Sequence, residues 1–268
     1  TLDDPNAGSP YPWEAGVPAG WGTLNTRNGN LLTALPVTGY RGRGLSASLT
    51  LYHSSRSNTT SGPLGAKWTH SYNMRVVYDA ANLVAIVYEG DGTTRNFIDN
   101  GDGTFTPPPG IYDTLVYTQS HYELTRKNQV VHVFNSSNKL ATIRDPNGNT
   151  LTCNYDAGGN LTSVMDASSR SLSLGYTSGK ISSITDPAGN QWSLTYDGSG
   201  RLYRVMDPSP FTTYVEFGYN ASGAITSFRD RRGNITSYAY DADHHLTSTT
   251  DPLNHTTSVS YGSNPYTC

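Results

Sequence analysis

The residue types that could support catalysis or bind a ligand here are histidines and aspartates, and their spacing matches no known catalytic motif. The chain contains no G-x-S-x-G, H-E-x-x-H or C-x-x-C sequence, so signatures of serine hydrolases, zinc proteases and thiol redox sites are missing. The histidines of the first half stand between predicted strands without spaced acidic partners, and we interpret them as structural histidines with satisfied hydrogen bonds: His53, His70, His121 and His132. We predict no enzymatic activity, no cofactor and no metal site.

Two short segments resemble ligand-binding loops, and both are better explained as turns. Residues 175–181, Gly-Tyr-Thr-Ser-Gly-Lys-Ile, are one residue shorter than a phosphate-binding loop and end in Ile181. Residues 99–103, Asp-Asn-Gly-Asp-Gly, lack the distal bidentate Glu of an EF-hand calcium loop. The recurring aspartates elsewhere also stand in turn sequences, where a carboxylate accepts backbone hydrogen bonds.

The residues open to covalent modification are two cysteines and six N-x-S/T sequons. Cys153 occupies the inward position that Leu174 and Leu194 hold in neighbouring units, so we expect a buried thiol. Cys268 is the final residue and is free to pair with Cys153, with another chain or with nothing. The repeat sequence itself contains Asn-x-Thr, so sequons occur here independently of glycosylation. We therefore expect little glycosylation at Asn58, Asn135, Asn160, Asn220, Asn234 and Asn254.

These residues are positioned by a repeat that fills the second half of the chain. Spacings of 21, 20, 21, 23 and 21 residues separate its copies, which open at Asp145, Asp166, Asp186, Asp207, Asp230 and Asp251. Each copy combines an Asp-Pro-x-Gly-like turn, six residues, a second turn and a further short segment. A fixed period in this range indicates supersecondary units that stack to bury a common core.

Each repeat is predicted to be a pair of strands. In the clearest copy Trp192, Leu194 and Tyr196 alternate with polar residues, which is the period of a strand with one apolar face. The second segment carries apolar pairs three residues apart, such as Leu202 and Val205. That spacing fits either a bulged strand or a strand with apolar residues on both faces.

This repeated sequence resembles the RHS, or YD, repeat. That repeat consists of Asp-Pro-x-Gly-Asn, then six residues, then Tyr-Asp-x-x-Gly-x-Leu. Residues 52–55 and 62–72 resemble the region that precedes the repeats in that family. The resemblance implies an all-β fold: a spiralling antiparallel β-sheet built from stacked two-stranded repeats. We divide the chain into an extended Pro/Gly-rich arm (1–22), a β-rich leader domain (23–133) and a YD-repeat domain (134–268) continuous with the leader. Neither a toxin nor a self-cleavage region is expected.

Composition excludes two classes of partner. Charged residues make up 15% of the chain and the net charge is −3, which gives no electrostatic basis for binding nucleic acid. No apolar run is long enough to span a bilayer. By resemblance to the bacterial members of the family, we expect an exported protein, extracellular or at the cell surface, whose signal peptide has been removed.

The leading functional hypothesis is a structural protein that assembles end to end. An arc of strands has two open edges, and its last unit, residues 256–261, carries no charge to block pairing. Candidate self-association residues are Trp13, Trp21, Thr257, Val259 and Tyr261. The repeat core is predicted to contain Tyr155, Tyr176, Tyr196, Tyr219, Tyr240 and Tyr261.

Two alternatives remain open. The chain is the N-terminal part of a shell that encloses a toxin, or it is a cell-surface adhesin that binds a glycan through aromatic residues such as Trp192. The arm likewise docks either along its own domain or on a neighbouring subunit.

Overall fold

The computed structural model describes residues 16–42 and 44–261. These residues form 24 β-strands and no helix. Accordingly, no described residue belongs to a helix that could cross a membrane. The predicted fold class, an antiparallel all-β fold of YD-repeat type, is confirmed.

The first five strands form a small antiparallel sheet, which we call the leader sheet. Each strand pairs with the next along the chain. Its strands are β1 (Gly16–Ala19), β2 (Gly22–Asn25), β3 (Leu31–Tyr40), β4 (Ala47–Ser54) and β5 (Trp68–His70). The described part of the predicted arm therefore contains one strand and the start of another.

The other 19 strands form one antiparallel sheet, the repeat sheet, again in sequence order. Before the repeats come β6 (Arg75–Asp79), β7 (Val84–Tyr88), β8 (Thr94–Asp99), β9 (Thr104–Thr106), β10 (Thr114–Tyr117), β11 (Tyr122–Thr125) and β12 (Val131–Phe134). The repeats supply β13 (Leu140–Arg144), β14 (Thr150–Tyr155), β15 (Leu161–Asp166), β16 (Ser171–Thr177), β17 (Lys180–Thr185), β18 (Gln191–Tyr196), β19 (Leu202–Met206), β20 (Tyr214–Tyr219), β21 (Ile225–Arg229), β22 (Ile235–Tyr240), β23 (Leu246–Thr250) and β24 (Thr256–Ser258).

A β-bulge explains the three-residue apolar spacing in each repeat. Asn154 pairs with Ser163 while Tyr155 pairs with Leu161, so Thr162 is the extra residue. The same shift recurs in later repeats at Tyr176, Tyr196, Tyr219 and Tyr240. An extra residue bends the strand and increases its twist. Of the two alternatives left by the sequence, the bulged strand is the one present.

One hydrophobic core joins the two sheets. The leader sheet contacts the repeat sheet from Leu140 at the start of β13 to Leu246 at the start of β23, a span of ten strand spacings of about 4.8 Å. Five strands cover that distance only if the larger sheet curves around them. Leu24, Leu49 and Leu51 of the leader sheet are fully buried in this arrangement.

Candidate functional site: the sheet edges and the leader sheet between them

The repeat tyrosines tie each hairpin to the one before it. Each donates its hydroxyl hydrogen to a carbonyl oxygen at the start of the preceding bulged strand; for example, Tyr196 reaches Ile181 at 2.7 Å. The same bond is made by Tyr155 to Leu140, Tyr176 to Leu161, Tyr219 to Leu202, Tyr240 to Ile225 and Tyr261 to Leu246. These hydroxyls are therefore occupied inside the sheet, which disfavours a glycan-binding role for them.

The repeat aspartates cap their own turns. In the turn that follows β13, Oδ1 of Asp145 accepts the backbone N–H groups of Asn147 and Asn149, both at 2.9 Å. The side-chain amide of Asn149 donates to Oδ2 at 2.8 Å and, together with the backbone bonds, lowers the pKa of Asp145. The pattern recurs at Asp156, Asp186 and Asp230. These carboxylates serve the backbone and do not converge on a cleft.

The two segments that resemble ligand loops are turns. Oδ1 of Asp99 accepts the N–H of Gly101, and Oδ1 of Asp102 accepts the N–H of Thr104. Residues 175–177 belong to β16 and Lys180 begins β17, with a turn between them.

Backbone carbonyls of the leader bind the repeat sheet at regular intervals. Met74 accepts the N–H of Leu140 at 3.1 Å, Pro63 that of Ile181 at 2.8 Å, and Gly29 that of Leu246 at 3.1 Å. All three donors lie at the start of bulged strands, as first or second residue. The approach is so close at Gly65 (φ 86°) that a Cβ there would collide with the carbonyl oxygen of Gly200.

Aromatic contacts reinforce this docking. The ring of Trp21 stacks on Phe228 with centroids 3.9 Å apart, and its backbone N–H donates to the Tyr238 hydroxyl at 2.8 Å. Trp68 lies edge-on to Phe217 at 4.9 Å. Trp21, a candidate for self-association, is thus engaged within its own chain, whereas Trp13 lies outside the described residues.

The first edge of the repeat sheet is covered. Along β6, Val76 donates its N–H to the carbonyl of Asn138 at 3.0 Å, and Arg75 forms a β-bridge with Lys139. The hairpin turn between β12 and β13 therefore occupies the start of the β6 edge, at the first two of its five residues. The expectation of an arc with two open ends is wrong for this part of the edge, because the sheet curls until its first strand meets that turn.

The last strand, β24, pairs on one side only within the described part of the chain. Thr257 lies opposite Thr249, and all three residues of β24 are exposed. Just beyond it, Val259 donates its N–H to Thr247 at 2.8 Å and its side chain packs against the core. Unpaired edge groups of an uncharged strand are a template for adding another strand.

Three of the histidines that were predicted to be structural are deeply buried. Burial lowers the pKa of His53 to about 3 and that of His70 and His132 to about 4. The Nε2 atom of His53 lies 3.0 Å from the carbonyl of Gly223. The Nδ1 atom has no hydrogen-bond partner in any of the three, so the prediction of satisfied histidines is wrong for this atom. His121 contacts Glu123 at 3.1 Å.

A buried ion network joins the strands before the repeats. Arg126 binds both carboxylate oxygens of Glu89, at 2.8 and 2.6 Å, and also reaches Asp113 at 2.8 Å. Arg95 contacts both acids at 3.2–3.3 Å. These four residues precede the repeats and are separated by up to 37 positions. The repeat pattern therefore does not predict this network.

Cys153 is buried and free, and burial raises the pKa of its thiol to about 12. The predicted burial of this residue is confirmed, and such a thiol is unreactive at neutral pH. Cys268 lies outside the described residues.

Comparison with known sequence families agrees with the repeat geometry. Residues 119–265, more than half of the chain, match the Teneurin YD-shell family. The chain belongs to the Teneurin YD-shell family. Residues 23–97, which include β3 to β5 of the leader sheet, match a domain of unknown function, DUF6531.

Curated relatives are much longer proteins. The chain is 31% identical over 145 residues to the tRNA nuclease WapA of Bacillus subtilis (strain 168). It is 28% identical over 142 residues to the tRNA3(Ser)-specific nuclease WapA of Bacillus spizizenii. Each match covers 53% of this YD-shell chain and 6% of the relative.

Solved structures give a distant resemblance. The TcdB2-TccC3-Cdc42 structure matches 85% of this chain and 12% of its own at 14% identity, with a TM-score of 0.36. The N-terminal domain of the effector protein SpvB from Salmonella typhimurium strain LT2 matches 85% of this chain and 98% of its own at 12% identity, with a TM-score of 0.31.

Proposed function

We propose that this chain is the closed end of a YD-repeat wall, a non-enzymatic scaffold whose β24 edge accepts a further strand. The observation that carries the proposal is the difference between the two edges. The β6 edge is hydrogen-bonded to residues 138–140, whereas β24 is exposed and uncharged. A wall with one covered edge grows in one direction only. Export to the cell exterior or surface is part of the proposal and is supported by the family resemblance alone.

The edge is tested by the association state of purified residues 1–268. If a second copy supplies the added strand and residues 138–140 block pairing along β6, two β24 edges pair and the assembly stops at a dimer. We expect a concentration-dependent dimer in light scattering. Thr257→Lys should abolish it by placing a charge on the edge, whereas Thr195→Lys, on the exposed face of an interior strand, should leave it intact. A protein that stays monomeric at all concentrations would contradict the proposal.

The runner-up is an end-to-end filament, which the uncharged β24 edge also favours. A filament needs a second, complementary surface, and candidate residues for it include Trp13. Regular filaments in negative-stain images, growing with concentration, would support this candidate and rule out the one-edge scaffold. Val259 and Tyr261 remain proposed association residues in either case, because they directly follow the exposed strand β24.

The relatives named as tRNA nucleases raise a separate question. We propose that this chain contributes scaffold and no nuclease chemistry, because its repeat aspartates cap turns and do not converge. The test is incubation of the purified protein with bulk tRNA, followed by gel analysis. Intact tRNA is expected, and specific cleavage would refute the non-enzymatic part of the proposal.

A further inference from the structure

A half-open cavity of about 480 Å³ lies between the leader and the first two complete repeats. The end of β5 and the start of β6 form its leader side. The turns that follow Tyr155 and Tyr176 form its repeat side. It includes Lys180, the lysine of the segment that resembles a phosphate loop, so that residue faces a cavity although its loop is an ordinary turn.

The cavity is cationic. Arg75, Lys139 and Lys180 line it, and no Asp or Glu does. None of the three forms an ion pair within residues 16–42 and 44–261. Lys139 donates to the carbonyl of Gly159 at 2.6 Å, and Lys180 lies 5.6 Å from the ring centre of Tyr196. The guanidinium of Arg75 lies 3.7 Å from the ring centre of Tyr88, outside the cavity lining. Without a carboxylate in the lining, the two lysines favour an anionic ligand.

A buried histidine also lines this cavity. His70 is 2% exposed, and its Nδ1 atom makes no hydrogen bond to any described residue. Burial keeps this imidazole neutral near pH 7 by lowering its pKa to about 4. A buried polar atom left unpaired costs free energy, which a bound ligand with a polar group would recover.

The backbone around the cavity indicates what shape of ligand fits. On either side, Leu140 and Ile181 donate their N–H groups to leader carbonyls of Met74 and Pro63. The corresponding residue of the intervening repeat is Leu161, which lines the cavity. No leader carbonyl binds its N–H in the part of the chain that the structure describes. A backbone carbonyl of an extended peptide bound in the cavity would accept the N–H of Leu161, as leader carbonyls accept those of Leu140 and Ile181.

We propose that the cavity is an oxyanion site that takes a carboxylate side chain of an extended acidic peptide. Lys139 and Lys180 hold the carboxylate, and the peptide backbone lies along Leu161. A phosphate offers the same charge and is the alternative source of the oxyanion. The peptide is favoured because the neighbouring positions already bind main-chain carbonyls. This site does not depend on the β24 edge or on the proposed scaffold function.

The probe is the acetylated and amidated peptide Gly-Glu-Asp-Gly, titrated calorimetrically into residues 1–268 at low ionic strength. Lys139→Gln and Lys180→Gln should each weaken binding roughly tenfold, as expected for loss of a charge-assisted hydrogen bond. Lys127→Gln makes the same charge change at an exposed position outside the cavity and should change nothing. The peptide Gly-Gln-Asn-Gly should not bind, and thermal unfolding confirms that each variant is folded.

A second readout is the imidazole resonance of His70, which should move on addition of the acidic peptide and stay fixed in the Lys180→Gln protein at the same concentration. Inorganic phosphate is the competing probe and should bind more weakly than the peptide. Absence of peptide binding, or equal weakening by Lys127→Gln, would overturn the site. Phosphate binding tighter than the peptide would overturn the choice of a carboxylate.

Discussion

At the scale of single residues, the tyrosine hydroxyl connects one repeat to the next. Tyr196 donates to the carbonyl of Ile181 at 2.7 Å, and its ring packs against the core. Tyr196→Phe keeps the ring and leaves that carbonyl without its partner. We expect a loss of about 1 kcal/mol in the free energy of unfolding, measured by urea denaturation.

The matched control for this substitution is Tyr117→Phe. Tyr117 is 42% exposed, and its hydroxyl makes no hydrogen bond among the described residues. Its variant should unfold at the same urea concentration as the parent protein. Equal effects at the two positions would show that the interrepeat bond contributes nothing specific.

The buried histidines predict a loss of stability in mild acid. His53, His70 and His132 have pKa values lowered to about 3, 4 and 4 by burial, against about 6.5 in the unfolded chain. Between those values the unfolded state binds protons that the folded state does not, so the free energy of unfolding falls as pH decreases below about 6.5. The slope approaches about 1.4 kcal/mol per pH unit for each histidine.

Urea midpoints at pH 7, 6 and 5 measure this slope. His70→Gln should make it shallower, and His255→Gln, at an exposed turn position, should not change it. The turn aspartates act in a lower window. Because the pKa of Asp145 is lowered, the stability it contributes is retained above about pH 4 and lost below it. A midpoint that is constant from pH 7 to 5 would refute the histidine effect.

The sequence predicts which face of a strand a residue lies on better than it predicts which residues that side chain contacts. Alternation along β18 predicted that Tyr196 faces inward with Leu194. It gave no sign that the hydroxyl meets a carbonyl 15 positions earlier, because that contact depends on a bulge and on the pairing of neighbouring hairpins. The prediction of satisfied histidines was wrong for a related reason, because the burial of a side chain is a tertiary effect. Where a repeat has another residue in a glycine position, the backbone keeps its shape: His244 has a positive φ of 65°.

At the scale of elements, the length of a turn varies between repeats, whereas the register of the paired strands does not. The repeat opened by Asp207 has two extra residues, and both lie in the turn before β20; Met206 still pairs with Tyr214 and Val205 with Val215. Replacing residues 207–213 with the five residues 186–190 should therefore change the free energy of unfolding by less than about 1 kcal/mol.

Insertion of one residue into β20 is the contrasting change. One Ala between Glu216 and Phe217 would turn one half of the strand over and expose Val215 or Phe217, each now 1% exposed. We expect a loss of about 3 kcal/mol or more, measured by the same denaturation. Equal tolerance of the shortened turn and the insertion would contradict the assigned register.

The ion network holds the elements before the repeats together. Arg126, at the end of β11, binds the turn after β7 through Glu89 and the loop before β10 through Asp113. Arg126→Gln leaves Arg95 as the cation that both buried carboxylates share, and we expect a loss of about 3 kcal/mol at pH 7. Adding Glu89→Gln and Asp113→Asn to that variant should restore part of the loss, because the charges are removed with their partner. A variant no less stable than the parent would show that the network is dispensable.

The existence of most elements was evident from alternation and turn residues, but their grouping was not. The sequences of residues 45–52 and 75–78 are equally typical of strands, yet the first lies in the leader sheet and the second begins the repeat sheet. Alternation predicts which residues share one face of a strand, but it does not predict which strand lies next to it. The covered β6 edge was missed for the same reason, since residues 138–140 reach it only after the sheet has curled.

At the scale of the whole molecule, the leader and repeat sheets should unfold as one unit. They share a core and three backbone hydrogen bonds, and Trp21 stacks on Phe228. We expect fluorescence and circular dichroism to report one coincident transition, and Trp21→Ala to lower that transition by about 2 kcal/mol or more without splitting it.

Amide hydrogen exchange gives the residue-level test of that coupling. The N–H groups of Ile181 and Leu246 are bonded to leader carbonyls, whereas that of Val205 lies within the repeat sheet. If the leader is part of the same cooperative unit, all three should exchange at the rate of global unfolding. Much faster exchange at Ile181 and Leu246 would mean that the leader sheet detaches from an intact repeat sheet, and the closed end of the wall would then open without unfolding.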